Sequence, residues 1–358
     1  MSGYSYPPHR HRHASDAANG TLISIKILAV CALMIGILVW GAFSPVIQTV
    51  WQISFQIVLV TFAVWRLIII RASFIKVPAA EPPAEWPRYT VMAALYNEAN
   101  MIQQLVTNLE ALDYPRDKLE IFLLLEECDT DTIQAARNRR LPDWIKIVVV
   151  PEGSPQTKPR ALNHGLSMAT GELLTIYDAE DAPHPQQLKE AASRFSHDAG
   201  KLSCLQAPLR IRRLHEAATP TPVLDHQFTA EYAALFEVIL PGMARMGLPF
   251  PLGGTSNHFR TDMLRAVGGW DIYNVTEDAD LGFRLWRRGW TQDVISSPTY
   301  ETPPGSLRLW LPQRTRWIKG HLQTLAVHLF KPGLGVAGTI SISTTLLAGV
   351  LVSCNHPF

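Results

Sequence analysis

Hydrophobic positions in this chain follow two patterns: long unbroken runs near the N-terminus, then short runs alternating with amphipathic stretches. Ile27 to Phe43 gives 17 residues without a charge, extended beyond Lys26 by Leu22 to Ile25, and Val46 to Trp65 gives another 20 after Ser44-Pro45. Each run approaches the ~20 residues that a helix needs to cross a bilayer. Together they predict a transmembrane hairpin over residues 21–70. A cleaved leader fits less well, because the second run follows at once with no small-residue cleavage site between them. Arg10, Arg12 and Lys26 precede the hairpin and Arg66, Arg71 and Lys76 follow it, which places both ends in the cytoplasm. Gln48, Gln52 and Gln56 share one face of the second helix, either bonding to a neighbouring helix or walling a path for a hydrophilic polymer.

Residues 1–20 are polar and basic and read as a disordered tail, and residues 71–87, rich in Pro, Ala and Glu, read as a linker. Strands are then predicted at Tyr89–Leu95, Glu120–Leu125, Ile145–Val150 and Glu172–Tyr177, with helices at Ala99–Leu112, Thr132–Asn138 and Arg160–Met168 between them. Regular alternation with buried strands predicts an α/β domain over residues 88–305, built on a doubly wound, mostly parallel sheet. Residues 306–333 read as interfacial amphipathic helices, and residues 334–353 as a third span in a chain truncated soon afterwards.

Composition narrows the function. Lys+Arg 32 against Asp+Glu 31 excludes a nucleic-acid partner held by bulk positive charge. Charged residues are 18% and hydrophobic ones 47%, with mean hydropathy +0.06, so the chain buries a large core. Cys31, Cys128, Cys204 and Cys354 lie too far apart for a zinc module or a disulfide scaffold. Phosphate-binding loop, HExxH, GxSxG and GxGxxG signatures are missing, which removes most nucleotide hydrolases, metalloproteases, serine hydrolases and nicotinamide enzymes.

Carboxylates at strand ends carry the chemistry instead. Asp178, Glu180 and Asp181 follow the strand ending at Tyr177, where ligands bind in open α/β sheets, and acids so close together suit a divalent cation on phosphate oxygens. Glu126, Glu127, Asp129 and Asp131 follow the second strand, suiting either a ribose or base or a charged helix start. Thr276 reads as the cap of a helix running to Arg288, whose first turn holds Glu277, Asp278 and Asp280, more acids than capping requires and one of them a candidate general base. Gly253-Gly254 permits close backbone approach to a ligand. Gln313, Arg316 and Trp317 share a helix face that suits a sugar diphosphate or a lipid headgroup layer.

Glu126-Glu127, Asp178-Ala179-Glu180, Thr276-Glu277-Asp278 and Gln313 to Trp317 come in the order that marks the processive, membrane-bound family-2 glycosyltransferases, and the chain resembles that family from Tyr89 to Gly320. Thr157 to Leu166, with Lys158, is similar to the family's nucleotide-approaching K-x-x-x-LN segment. The resemblance implies a nucleotide-sugar-binding GT-A fold and synthesis of a β-linked polysaccharide from a UDP-sugar, UDP-glucose first and UDP-N-acetylglucosamine second. It implies Glu127 and Glu126 on uridine, Asp178 and Glu180 on Mg²⁺ or Mn²⁺, Asp278 beside Glu277 as base, Gln313 and Arg316 on the diphosphate, and Trp317 under the acceptor glycan. It also implies an inner-membrane, multi-pass protein with a cytoplasmic catalytic domain and accessory export or regulatory subunits. Transfer of one sugar to a lipid carrier, or nucleotide-sugar binding without catalysis, are the alternatives. Glu stands where the family has Asp at two positions, Glu127 and Glu180, which lengthens the reach of both side chains.

Overall fold

The computed structural model describes residues 45–212, 222–329 and 331–347, with Ala32 and Gly36 besides. The basic tail, almost all of the first apolar run, and residues 348–353 of the expected third span lie outside the described residues. Ten strands are described: β1 (Tyr89–Leu95), β2 (Leu119–Glu126), β3 (Ile145–Val150), β4 (Leu173–Tyr177), β5 (Ala182–Pro183), β6 (Leu202–Gln206), β7 (Leu209–Ile211), β8 (Asn257–Arg260), β9 (Thr291–Val294) and β10 (Thr299–Glu301). The described helices are α1 (Pro45–Ser73), α2 (Ile102–Glu110), α3 (Thr130–Asn138), α4 (Lys158–Met168), α5 (Gln187–Ser196), α6 (Pro222–Tyr232), α7 (Leu240–Arg245), α8 (Thr261–Ala266), α9 (Glu277–Arg287), α10 (Leu307–His328) and α11 (Gly335–Ile342). A π-helical stretch, Ala233–Ile239, joins α6 to α7.

Buried strands need cover on both faces, and alternate residues of β1 provide the two contacts. Tyr89, Val91, Ala93 and Leu95 pack with Leu105 and Leu109 of α2 and Leu188 and Phe195 of α5. Met92 joins Phe122 and Leu124 of β2 against Leu162 and Leu166 of α4, with Trp270, Leu281 and Leu285 beyond. The main sheet has the order β3-β2-β1-β4-β8-β6-β9, and β5-β10-β7 form a small second sheet. The β1–β2, β1–β4, β2–β3 and β6–β9 pairs are parallel, whereas β8 runs antiparallel to both β4 and β6. The expected mostly parallel sheet is therefore interrupted by one reversed strand. Its cause is local: the chain reaches β8 at the carboxyl end of β4, where Ser256 N–H donates to Ile176 O at 2.8 Å, with no crossover to carry it back.

Among the described residues one helix is long and apolar enough to cross a membrane, Gln48–Ser73, of mean hydropathy 2.2. Val60 and Leu67 are exposed, as are Gln48, Gln52 and Gln56. Its C-terminal end is different: Ile69 and Ala72 are buried. Gly242 of α7 lies so close that a Cβ there would overlap the Ile69 carbonyl, so α1 is seated on the α/β domain. Within the described residues the apolar helix Gly335–Leu347 is shorter than a span requires. One of its faces is committed to the domain, with Ile342 and Leu346 buried against Phe283 and Leu325. The described part of the expected third span is thus a packed helix.

Helix α10 was expected at a lipid interface, and its first turns do expose Leu307, Leu309 and Leu311. Its second half is built into the domain. Gly320 meets Thr276 so closely that a Cβ would overlap its hydroxyl, and Asn274 Nδ2 donates to Thr324 Oγ1 at 3.1 Å. The fully buried Asp280 accepts from Arg284 Nε at 2.6 Å and contacts His328 Nε2 at 2.8 Å, tying α9 to α10. Burial opposes its charge, but Arg284 and His328 outweigh burial and hold the carboxyl well below its ordinary 3.8.

A folded-state pKa below the unfolded one gives stability that is present above the unfolded value and lost as pH falls through the folded one. Asp280→Ala, which leaves Arg284 buried without its carboxylate, is expected to destabilise the protein by about 3–5 kcal/mol at neutral pH. The difference between wild type and variant should shrink as pH falls below 3.8. Thermal unfolding followed by near-UV circular dichroism across that range measures both effects.

Candidate active site

In a sheet ordered β3-β2-β1-β4 the chain leaves β1 for β2 on one side and reaches β4 on the other, so a crevice opens at the carboxyl ends of β1 and β4. Asp178 to Asp181 turn there after β4, and Tyr96 to Glu98 after β1. Lys158, the first residue of α4, reaches between segments far apart in sequence. Its Nζ pairs with Asp178 Oδ1 and donates to the Gly254 carbonyl at 2.8 Å. A Cβ at Gly254 would stand 3.3 Å from Asp278 Oδ2, so Asp278 faces the same backbone from the far wall. Asp178, Lys158, Gly254 and Asp278 therefore line one cleft.

The first turn of α9 divides its acids by partner. Thr276 occupies the N-cap position but its side chain makes no capping bond, contrary to expectation; Thr276 Oγ1 lies 3.4 Å from Asn274 Oδ1 and packs on Gly320. Asp278 Oδ1 instead accepts from the Ala279 N–H at 2.7 Å, which leaves Oδ2 toward Gly254. Burial raises the Asp278 carboxyl, countered by that backbone bond and by Lys158 and Arg316. Glu277 is pushed up to about 7 by burial and by Asp278. Burial lowers the Lys158 ammonium, but Asp178 and Glu277 more than offset it, so the lysine stays charged. Asp280, on the opposite side of the turn, is a structural acid.

Negative charge is concentrated around Asp178. Burial, then Asp178, raises Glu180, and burial followed by Glu180 and Asp178 takes Glu98 to about 7. Glu301 of β10 is raised strongly by burial and then by Asp181, Asp178 and Glu180. Register explains its position: Tyr300 pairs with Ala182, so Glu301 lies beside the Asp178–Asp181 turn. Asp181 supports that turn, its Oδ2 accepting from the Asp178 N–H at 2.7 Å and from Thr255 Oγ1, while its Oδ1 is buried without a partner. Among the described residues no three His, Cys, Asp or Glu side chains form a ready metal cage. The all-oxygen set of Asp178 and Glu180, short of positive charge, fits a hard divalent cation that takes its remaining ligands from phosphate and water.

The pair after β2 separates. Glu126 is buried and its carboxylate is ion-paired with Arg160, which also donates to the Pro151 carbonyl at 2.6 Å, so Glu126 fastens α4 to the sheet and does not face the cleft. Glu127 is exposed, with Oε2 accepting from the Glu152 N–H at 3.2 Å. Asp129 caps α3, accepting from the Thr132 N–H at 3.1 Å, and also accepts from the Asn97 N–H at 2.6 Å. Asn163 clasps the Trp270 backbone through two bonds of 2.8 and 2.9 Å. On α10, Arg316 is exposed and Trp317 half-buried, while Gln313 Oε1 is buried without a hydrogen-bond partner. The joint of Gly320 with Thr276 holds this helix directly over the start of α9. Sequence reading missed Glu98 and Glu301. Glu98 follows a strand end just as Asp178 does, and that rule applied to β1 finds it; Glu301 becomes visible only through strand register.

Residues 87–320, well over half of the chain, match the family described as "Glycosyltransferase like family 2". The probable glycosyltransferase YdaM of Bacillus subtilis is 25% identical over 240 residues, covering 66% of this chain and 56% of that protein. Cellulose synthase 2 of Novacetimonas hansenii is 26% identical over 264 residues, covering 72% of this chain and 16% of that one. The chain thus spans about half the length of the first of these relatives and a sixth of the second. Among solved structures, the mannosyltransferase PcManGT from Pyrobaculum calidifontis, in complex with GDP-Man and Mn²⁺, has the same fold, with TM-score 0.59 at 20% identity, covering 83% of this chain and 84% of that one. The family match takes in every strand from β1 to β10 and the whole cleft between β4 and α10, so this chain belongs to glycosyltransferase-like family 2 and is a glycosyltransferase.

Proposed function

We propose that the enzyme transfers a sugar with inversion from a UDP-sugar, UDP-glucose before UDP-N-acetylglucosamine, to the growing end of a β-linked polysaccharide at the inner membrane. The observation that carries this reading is the bridge of Lys158 to both Asp178 and the Gly254 backbone, with Asp278 Oδ2 facing that backbone. Asp178 and Asp278 thus stand on either side of one bridge, which supports a donor diphosphate held at Asp178 and an acceptor deprotonated at Asp278, as a single displacement requires.

Each residue then has one task. Glu127, exposed at the end of β2, accepts hydrogen bonds from uridine, with Glu126 acting only through its hold on Arg160. Asp178 and Glu180 would hold Mg²⁺ or Mn²⁺, which when bound neutralises diphosphate charge and eases departure of UDP. Lys158 and Arg316 supply further positive charge to the leaving group. Gln313, with its unpartnered carbonyl oxygen, accepts from a substrate hydroxyl, and the Trp317 indole stacks on the acceptor ring. Asp278, raised by burial and held by one oxygen on the Ala279 N–H, takes the acceptor proton on the other. Glu277, pushed up to about 7 beside it, is the reserve base.

The membrane setting is supported by α1 together with the apolar run before it, basic on their outer flanks, the pattern expected of a catalytic domain on the cytoplasmic side where UDP-sugars are made. The exposed leucines of early α10 dip into the same lipid surface. Export or regulatory subunits would receive the polymer beyond it.

Three experiments test this reading. Asp278→Asn keeps the shape of the helix start but cannot take a proton, so sugar transfer is expected to fall by roughly 10²–10⁴-fold with UDP affinity retained. Near-normal transfer by folded Asp278→Asn would remove Asp278 as base. Chelation should stop transfer, and Asp178→Ala should lose the Mn²⁺-dependent part of UDP binding measured by calorimetry; metal-independent UDP affinity in wild type would return the Asp178 turn to a purely structural role. In a Cys128→Ser background, Lys201→Cys should resist an impermeant maleimide on intact cells and react after lysis. Labelling from outside would overturn both the topology and the cytoplasmic donor.

A further inference from the structure

Arg314 occupies an interior position of the Gln313–Trp317 segment, and nothing in the reaction described above uses it. Its surroundings are specific. The guanidinium is ion-paired with Glu231 of α6. Its central carbon lies 4.6 Å from the Trp317 ring centroid, 5.1 Å from Trp310 and 5.5 Å from Phe228. The Phe228 ring is stacked near Trp317, with centroids 6.5 Å apart and planes 26° from parallel. Trp310, Arg314 and Trp317 fall four and three residues apart, on one stripe of α10, and Phe228 and Glu231 fall three apart on α6. A carboxylate from one helix thus fixes a planar cation against the aromatic faces of the other.

This arrangement does more than join two helices. The later half of α10 is already fixed to α9 by Gly320 and by the Asp280–His328 contact. Arg314 and Glu231 keep side-chain exposures of 23% and 37%, and an ion pair that open to water adds little to folding. What the pair does determine is where a delocalised cation sits over an indole, and only the planar fork of arginine can stack on a ring while pairing with a carboxylate. Phe228, 2% exposed, backs the same ring from the core.

We infer that Arg314 is a positioning residue, held by Glu231, that sets the plane of the Trp317 indole against which the acceptor sugar stacks. The inference rests on the acceptor role proposed for Trp317. Arg314 touches no reacting atom; it acts through the ring, and through the ring alone.

A double-mutant cycle on the full chain in native membranes tests this, using labelled UDP-glucose and UDP-N-acetylglucosamine as donors. Arg314→Ala and Glu231→Gln should each lower transfer to glycan by roughly 10- to 100-fold, the effect of displacing a substrate-positioning group. Mn²⁺-dependent UDP binding, the check on folding, should be unchanged in both. Arg314→Lys should rescue only in part, because an ammonium pairs with Glu231 without stacking. In a Trp317→Ala background, adding Arg314→Ala should change transfer by less than about 2-fold. Effects that instead multiply in the double variant would overturn the positioning role while leaving Trp317 at the acceptor. Full transfer by Trp317→Ala would overturn the acceptor reading and this inference together. Full transfer by Glu231→Gln alongside a defective Arg314→Ala would show that Arg314 works without its carboxylate anchor, and would sink the proposed device.

Discussion

Like charges crowded into a half-buried crevice must be compensated or they push the crevice apart. At the carboxyl end of this sheet Glu98, Asp178, Glu180, Asp181 and Glu301 interact with one another, and burial raises four of the five toward protonation. Lys158 supplies the fixed countercharge, and it also joins β4, α4 and the Gly254 loop through a single ammonium. The rest of the site takes its geometry from that bridge. A Cβ at Gly254 would press on Asp278 Oδ2 at 3.3 Å, so the glycine leaves that carboxylate its room beside the backbone. The carboxylates around Asp178 outnumber the one ammonium that faces them, so the negative charge of the cleft is only partly compensated.

Much of the architecture was legible in the sequence because the strands are continuous and buried. Tyr89–Leu95 and Ile145–Val150 were placed to the residue, and the other two early strands to within one position at either end. What escaped was pairing direction. Nothing in Asn257–Arg260 marks it as reversed; that follows from where the preceding loop delivers the chain. The second apolar run was equally plain as a long helix, and the described part of the third, diluted by Gly, Ser and Thr, packs against Phe283 and Leu325.

At the site, the sequence revealed which residue types were present but could not assign them partners. Glu126 and Glu127 are adjacent and chemically identical, yet one is buried on Arg160 and the other faces solvent, because successive residues at a strand end point in opposite directions. Asp278 and Asp280 differ in the same way across a helical turn: one is held by a single backbone bond and open on its other oxygen, the other saturated by Arg284 and His328. Glu301 lay in a Pro-rich segment with no periodicity to read. Arg314 was overlooked because its value depends on Glu231 and Phe228, more than eighty residues away.

The close seating of α1 on α7 at Gly242 changes what the Pro/Ala/Glu segment after it means mechanically. A tether lets a catalytic head wander above its anchor; a bearing does not. Here the last turn of the apolar helix is clamped to the same run of chain, Ala233–Ile239 into α7, that begins at the Glu231 end of α6. Ile69, with Trp65 beside it, packs against Phe236, Leu240 and Met243, so the seat of α1 is a packed joint as well as a close backbone approach. A cleft seated in this way keeps one orientation relative to the axis of α1.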